Sequence, residues 1–392
     1  MRRFKFVDLF SGIGGFHQAM KQLGGQCVFA SEIDRYCNAV YEKNYGINSD
    51  INIRDVKEED VPEHDVLCAG FPCQAFSKAG KQVGLEDKTR GTLFFEIIRI
   101  LKHHKTKYIV LENVRNLISH DDGNTWRIIQ ESIKELGYRT TKEPLILSPH
   151  YFGIPQIRER VVILGKYDPD KIDEPLEINI GSFRKKANNS IYDIISDQTV
   201  EDYYYINEYE KNVLQAWDEF YQGVKMKVIG FPIWADYFCF EGSTEGYPQW
   251  KVNFINKNKK LYKENKQFID HWLKKNNYLA NFAPTHHKME WQCGEKIDTV
   301  WEGVIQFRPS GVRIKTPDCF QALVAMVQIP IIGRFKRRMT VEESAKLQNF
   351  PIQDKDSPFI PDENRQQAYK QFGNSVNVEV IRVATEQLFK SK

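Results

Sequence analysis

Short apolar runs alternate with amphipathic stretches along the first 165 residues. "FKFVDLF" at 4–10, "CVFAS" at 27–31, "DVLCAG" at 65–70 and "YIVLEN" at 108–113 each read as a short strand. Between them, "GGFHQAMKQLGG" at 14–25, "RYCNAVYEKNYG" at 35–46 and "GTLFFEIIRILKHH" at 91–104 read as helices, the first closed by glycines. Short apolar strands separated by helices predict an α/β fold with a doubly wound, mostly parallel, Rossmann-like sheet. Such sheets bind ligands outside the carboxyl ends of their strands. Phe10 to Gly14, Glu32, Cys73 and Glu112 all fall at such ends.

The periodicity weakens after "VVILG" at 161–165, and the chain becomes richer in Asn, Lys, Tyr and Trp. Helical patterning returns at 339–350, at 364–372 and from about Val376. The expected organisation is a catalytic and cofactor-binding domain at 1–167, a smaller variable domain at 168–333 and a C-terminal segment at 334–392 that packs back on the first domain. No apolar run approaches the roughly 20 residues needed to span a bilayer.

Composition changes this picture little. The 392 residues are 41% hydrophobic and 27% charged, ordinary for a globular protein in water. Lys and Arg number 55 against 52 Asp and Glu, a balance that neither demands nor forbids nucleic acid, because a basic patch can hide inside a near-neutral total. Seven cysteines without regular spacing read as reduced thiols of a cytosolic protein. His286, His287 and Cys293 lack a fourth ligand and paired spacing, so no metal site is expected. Trp217, Trp234, Trp250, Trp272, Trp291 and Trp301 read as core of the second domain.

The chemistry-bearing stretches lie in the first domain. "DLFSGIGGF" at 8–16 joins the first strand to the first helix, and Gly12, Gly14 and Gly15 let the backbone approach a ligand. A dinucleotide fingerprint would want a further glycine where this chain has His17. Glu32 ends the second strand, where a carboxylate can accept from ribose hydroxyls. Together they suggest a nucleoside cofactor without a pyrophosphate. Cys68 lies mid-strand as a buried thiol should, whereas Cys73 follows Pro72 in a turn, where a nucleophile is held out to a substrate. Glu112 ends a buried strand, where desolvation would keep it protonated. Arg158 and Arg160, two apart in an extended segment, share one face. Thiolate, neutral carboxylic acid and guanidinium form a coherent set: the first attacks an electron-poor carbon, the second donates to a ring nitrogen and the third holds an oxygen.

"DLFSGIGGF", "GFPCQAFSKAGK", "RGTLFFEI", "ENVRNL", "QIRERVVILG", "RRMTVEESAKLQNFP" and "QAYKQFGNSV" resemble, in order, the motifs of the bacterial C5-cytosine DNA methyltransferases, including the methylases of restriction–modification systems. The resemblance implies S-adenosylmethionine as cofactor and S-adenosylhomocysteine as product. It implies that Cys73 attacks C6 of a flipped-out cytosine, that Glu112 holds N3 and the exocyclic amine, and that Arg160 holds O2 with Arg158 nearby. It assigns Phe10, Gly12, Gly14, Glu32, Ile33, Ile53, Pro72, Leu93 and Asn374 to the cofactor. The acceptor for the adenine amine is Asn52 or, after a shift of register, Asp50. Gln74 and Ser77 in the family's mobile catalytic loop, and Arg313 and Leu323 towards the end of the variable domain, are expected to contact DNA. The usual Thr-Leu dipeptide is replaced by Ala322-Leu323.

The resemblance further implies double-stranded DNA as partner, a monomeric protein in the bacterial cytoplasm and nucleoid, and a cognate restriction endonuclease. An RNA cytosine methyltransferase usually carries Pro-Pro-Cys where this chain has Phe71-Pro72-Cys73. A non-catalytic regulator would lose the nucleophile or the acid, and a cysteine hydrolase needs a histidine at a matching strand end.

Overall fold

The computed structural model describes residues 3–72, 93–181, 189–224, 230–323 and 328–391. Two units divide it. The first comprises Met1–Asn189, Gln321–Ala325 and Val341–Lys392, and the second Ser190–Phe320 and Met326–Thr340. The division falls later than the change in composition near 168. Residues 168–176 stay with the first unit because Arg139 bonds to Asp168 at 3.1 Å and to the Glu174 carbonyl at 2.7 Å, while the Leu176 amide donates to the Thr140 carbonyl at 2.9 Å.

The first unit is built on strands β1 (Phe4–Leu9), β2 (Gly25–Ser31), β3 (Val66–Gly70), β4 (Tyr108–Val114), β5 (Tyr138–Thr140), β6 (Leu145–Leu147), the two-residue β7 (Gln156–Ile157) and β8 (Arg160–Tyr167). The main sheet runs β2-β1-β3-β4-β8-β5, with β6 also on β8. β2, β1, β3 and β4 are parallel, and the apolar runs of β3 and β4 are buried on both faces as is usual in parallel sheets. β8 is reversed and lies antiparallel to β4, β5 and β6, so the sheet is mixed at this edge.

Helices α1 (Gly15–Gln22), α2 (Arg35–Tyr45), α3 (Leu93–His104) and α4 (Asn124–Glu135) follow the strands, and α8 (Val341–Leu347), α9 (Arg365–Asn374) and α10 (Val378–Lys390) close the unit. The period of two sends Val7, Leu9, Leu67, Ala69, Ile109, Leu111, Val161 and Ile163 into one core with Ile97 and Ile100 of α3 and Ile129 and Ile133 of α4. Helix α10 packs on α1, β4 and β8.

The second unit carries β9 (Ile233–Trp234), β10 (Lys288–Gln292), β11 (Val304–Arg308), β12 (Gly311–Lys315), β14 (Ile331–Ile332) and β15 (Arg337–Arg338) in the order β15-β14-β11-β12-β10-β9. The two-residue β13 (Phe320–Gln321) follows β12 in the chain. Helices α5 (Glu208–Gly223), α6 (Gln249–Glu264) and α7 (Lys266–Lys275) supply its other layer. Asn258, fully buried on α6, accepts from the Trp234 amide at 2.8 Å and donates to the Pro232 carbonyl at 3.1 Å, which pins the helix beside β9.

Trp217, Trp272 and Trp291 are in the core as expected, but Trp250 is 57% exposed. It sits in the first turn of α6, one residue after the helix start, where the helix has only begun to enter the core. Trp272 donates its indole N–H to the Ala216 carbonyl at 2.7 Å and tilts against Trp217 at 5.4 Å between centroids. Trp272→Ala is therefore expected to cost the second unit about 3–5 kcal/mol, read as a fall in its urea midpoint followed by near-ultraviolet circular dichroism.

Candidate active site

Cys73, Gln74 and Ser77 lie outside the described residues. Most of the other candidates in the first unit converge on one cavity of about 660 Å3 at the carboxyl end of the parallel strands. Phe10, Gly12, Glu32, Ile33, Asn52, Ile53, Pro72, Leu93, Glu112, Arg158, Arg160 and Asn374 all line it. Its volume falls in the range of roughly 300–1,000 Å3 typical of small-molecule sites.

The glycine turn forms one wall. Phe10 holds a φ of 55° and Gly12 one of 52°, so the chain turns sharply as it leaves β1. Glu32 is fastened to this turn. Its Oε2 accepts from the Gly12 amide at 2.9 Å, and its Oε1 accepts from the Ile33 and Asp34 amides at 2.7 and 2.9 Å. Three backbone donors thus fix the carboxylate at the cavity wall while leaving it lone pairs for a diol. Ile33 beside it is 73% exposed, an aliphatic surface offered to a flat ring.

Gly14 is absent from the lining and does other work. At its φ of 86° a Cβ would fall 2.4 Å from the Tyr45 ring. Tyr45 in turn stacks on His17 at 3.8 Å between centroids. The histidine where a dinucleotide turn wants glycine is thus buried, bonded through Nδ1 to the Tyr41 hydroxyl at 2.8 Å, and burial lowers its pKa to about 3. Asn52 lines the cavity and caps the short turn Ile53–Asp55 by accepting from the Arg54 amide at 3.2 Å. Asp50 accepts instead from Asn38 at 3.0 Å. The structure therefore favours Asn52 as the group at the cavity wall.

Glu112 forms the opposite wall. In the β4–β8 register Val114 faces Arg160 and Glu112 faces Val162, so Glu112 and Arg160 are diagonal neighbours on one face. Arg160 Nε meets Glu112 Oε1 at 3.0 Å. Burial pushes the Glu112 carboxyl above its ordinary value of 4.5, against the opposing pull of Arg160 and Arg158. Burial thus makes this acid hold a proton more readily than a carboxyl in water. Cys68, fully buried in β3, has its thiol pushed well above the ordinary range by burial and is inert, as its mid-strand position predicts.

Arg158 lies elsewhere than periodicity suggests. It precedes β8, is 3% exposed, and its guanidinium is directed at backbone carbonyls rather than displayed beside Arg160. Asn113 was not anticipated. Its side chain donates to the Phe71 carbonyl at 2.8 Å and so ties the end of β3, just before Pro72 and Cys73, to the strand that carries Glu112. A buried amide directly after the acid in "ENV" is the sequence signal that could have found it. Gln371, Gly373, Ser375 and Val376 also line the cavity beside Asn374.

In the second unit Arg313 pairs with Glu290 at 3.1 Å, and Arg308 reaches the same carboxylate at 2.8 Å. Leu323 is buried in the first unit. Among the described residues no helix is long and apolar enough to cross a membrane.

The family described as C-5 cytosine-specific DNA methylase matches this chain over residues 4–390. The type II methyltransferase M.AluI of Cellulosimicrobium cellulans is 32% identical, with 97% of this chain and 91% of that protein covered. M.HpaII of Haemophilus parainfluenzae is 34% identical, with 99% and 90% covered. M.HhaI of Haemophilus parahaemolyticus is 47% identical over a shorter stretch, 41% of this chain and 48% of that protein. Among solved structures, a DNMT2 of Spodoptera frugiperda shares the fold with a TM-score of 0.54 at 20% identity, covering 98% of this chain and 99% of that one. A cavity with an acid on one wall and a ribose-type carboxylate on the other, in a chain matched almost end to end, identifies the protein as a member of the C-5 cytosine-specific DNA methylase family, an enzyme that methylates cytosine in DNA.

Proposed function

We propose that this chain is the methylase of a restriction–modification system, with S-adenosylmethionine as its methyl donor and Cys73 as its nucleophile. The observation that carries the site assignment is the single cavity shared by Glu32, Asn52 and Glu112, whose carboxyl pKa burial raises. The residues fit the cofactor: Glu32 has lone pairs free for a ribose diol, Asn52 offers an amide acceptor for an adenine amine, and Ile33 offers an apolar surface for the ring. Phe10, Gly12, Ile53, Pro72, Leu93 and Asn374 complete the walls. S-adenosylmethionine, when bound, supplies an electrophilic methyl group.

The chain's own residues supply the rest. The Cys73 thiolate adds to C6 of the cytosine, and the electron pair displaced from the C5–C6 bond makes C5 a nucleophile. Glu112 holds its proton at N3 and so stabilises the charge that develops in the ring. Arg160, kept in place by Glu112, holds O2. After C5 has taken the methyl group, a base removes the C5 proton, the double bond re-forms and the thiolate leaves C6. Cysteine cannot reach C6 inside a stacked duplex, so the base must be flipped out. Gln74 and Ser77 contact the DNA in this reading.

The second unit is the target-recognition part, with Arg313 and the basic stretch 308–315 towards phosphates or bases, and Leu323 at its return to the first unit. The enzyme works as a monomer in the bacterial cytoplasm, beside a cognate endonuclease. Expression in a methylation-free bacterial host followed by bisulfite sequencing of its genome tests the reading. Full protection of cytosine at one short motif is expected. No protected cytosine from a protein that binds S-adenosylmethionine would redirect the assignment to RNA.

A further inference from the structure

Arg158 is the buried cation that this chemistry leaves without a task. Its Nη1 donates to the Leu323 carbonyl at 3.1 Å and to the Gly373 carbonyl at 2.9 Å, and its Nη2 donates to the Ser375 carbonyl at 2.9 Å. Its own backbone is anchored where its amide donates to Ser148 Oγ at 2.9 Å. The partners are separated by 165, 215 and 217 positions in sequence, so one side chain joins two remote segments to its own.

Each segment has a place in the site. Residues 373–376, the end of α9 and the start of its link to α10, form a strap, and Gly373, Asn374, Ser375 and Val376 all line the cavity. On its other side the strap presses on the start of α1: a Cβ at Gly15 would fall 2.6 Å from Ser375 Oγ and 2.7 Å from Val376. Leu323 lies in Gln321–Ala325, the stretch that belongs to the first unit although the chain on either side of it belongs to the second. Arg158 itself leads into β8, whose first residue is Arg160, the partner of Glu112.

We infer that Arg158 is a positioning residue for the methyl-donor site, which holds the 373–376 strap as a cavity wall and couples it to the connector at Leu323. A buried charge is expensive unless fully hydrogen-bonded, and burial, with Arg160 close by, lowers the pKa of this guanidinium to about 9. A side chain needed only to fill space would avoid that cost. A guanidinium gains from its planar fork: it can hold carbonyls of separate segments in fixed directions, which a single ammonium cannot. The inference rests on reading the cavity as the methyl-donor site.

The test is titration calorimetry of the full chain with S-adenosylhomocysteine, in the wild type, Arg158→Lys and Asn374→Ala, and in the double variant. Arg158→Lys is expected to weaken binding by about tenfold or more, on the scale of one charged hydrogen bond. Its loss and that of Asn374→Ala should fail to add, because both act through one strap. In turnover, KM for S-adenosylmethionine should rise more than kcat falls. Unchanged affinity of Arg158→Lys, or a fall confined to kcat, overturns the inference and returns Arg158 to direct contact with substrate.

A second measurement needs no variant. In wild-type protein S-adenosylhomocysteine should slow amide hydrogen exchange in 321–323 together with 371–376. Slowing in 371–376 alone overturns the coupling even if Arg158→Lys fails to fold. Failure of the wild type to bind S-adenosylhomocysteine at all overturns the reading of the cavity, and the inference with it.

Discussion

Glu112→Gln is expected to lower kcat by about 10²–10⁴-fold, the usual contribution of a positioned acid. Affinity for S-adenosylhomocysteine should change by less than the tenfold that about 1.4 kcal/mol represents. The glutamine keeps the volume and an N–H donor but cannot give up a proton to N3, and its carbonyl still accepts from Arg160. The loss is thus confined to the charged state of the ring. A matching loss of cofactor affinity would place Glu112 in the wrong half of the cavity.

The same substitution has a pH signature. Burial holds the Glu112 pKa above its ordinary 4.5, so the folded protein binds this proton more tightly than the unfolded chain. The stability it contributes is fully present below the ordinary value and is lost as pH rises through the raised folded-state value. Glu112→Gln removes that titration. The stability of the variant relative to wild type should therefore rise with pH from the ordinary carboxylate range upwards, as measured by urea unfolding at a series of pH values. Wild-type activity should fall on the alkaline side as the acid loses its proton. A stability difference independent of pH would mean that Glu112 is already ionised.

Cys73→Ala is expected to abolish turnover, by on the order of 10⁶-fold, the scale on which removal of a nucleophile acts in a covalent mechanism. DNA binding should survive, because the thiol contributes little to contact with the duplex. A duplex carrying 5-fluorocytosine at the target separates the steps. Fluorine at C5 cannot leave as a proton does, so the wild type should accumulate a denaturation-resistant protein–DNA adduct in the presence of S-adenosylmethionine, and Cys73→Ala should form none. Methyl transfer by the alanine variant would sink the covalent route.

Much of the first unit was legible because its elements obey local rules. β1, β2, β3 and β4 are short and mostly apolar, and α1, α2 and α3 repeat apolar residues at helical spacing, so type and order follow from the chain alone. Strand direction is a different matter. Nothing in "RVVILGKY" distinguishes a parallel from an antiparallel strand, because both are buried on both faces, and the reversal of β8 is settled only by its pairing with β4. That reversal brings Arg160 back to Glu112.

Identity of the candidate groups was likewise written in the sequence, since glycine turns, strand-end carboxylates and a proline-held thiol are local features. Their roles depended on contacts between distant positions. Arg158 and Arg160 are near-identical signals two residues apart, yet one pairs with an acid in the adjacent strand and the other is spent on carbonyls more than 160 positions away. Asn52 and Asp50 are alike as sequence signals, and only the structure shows Asn52 at the cavity wall and Asp50 accepting from Asn38 of α2. The sequence by itself determined which chemical groups this protein has and on which rim of the sheet they stand. The tertiary structure alone decided which of them face the cavity and which hold its walls, because burial and hydrogen-bond partners are properties of the packed chain.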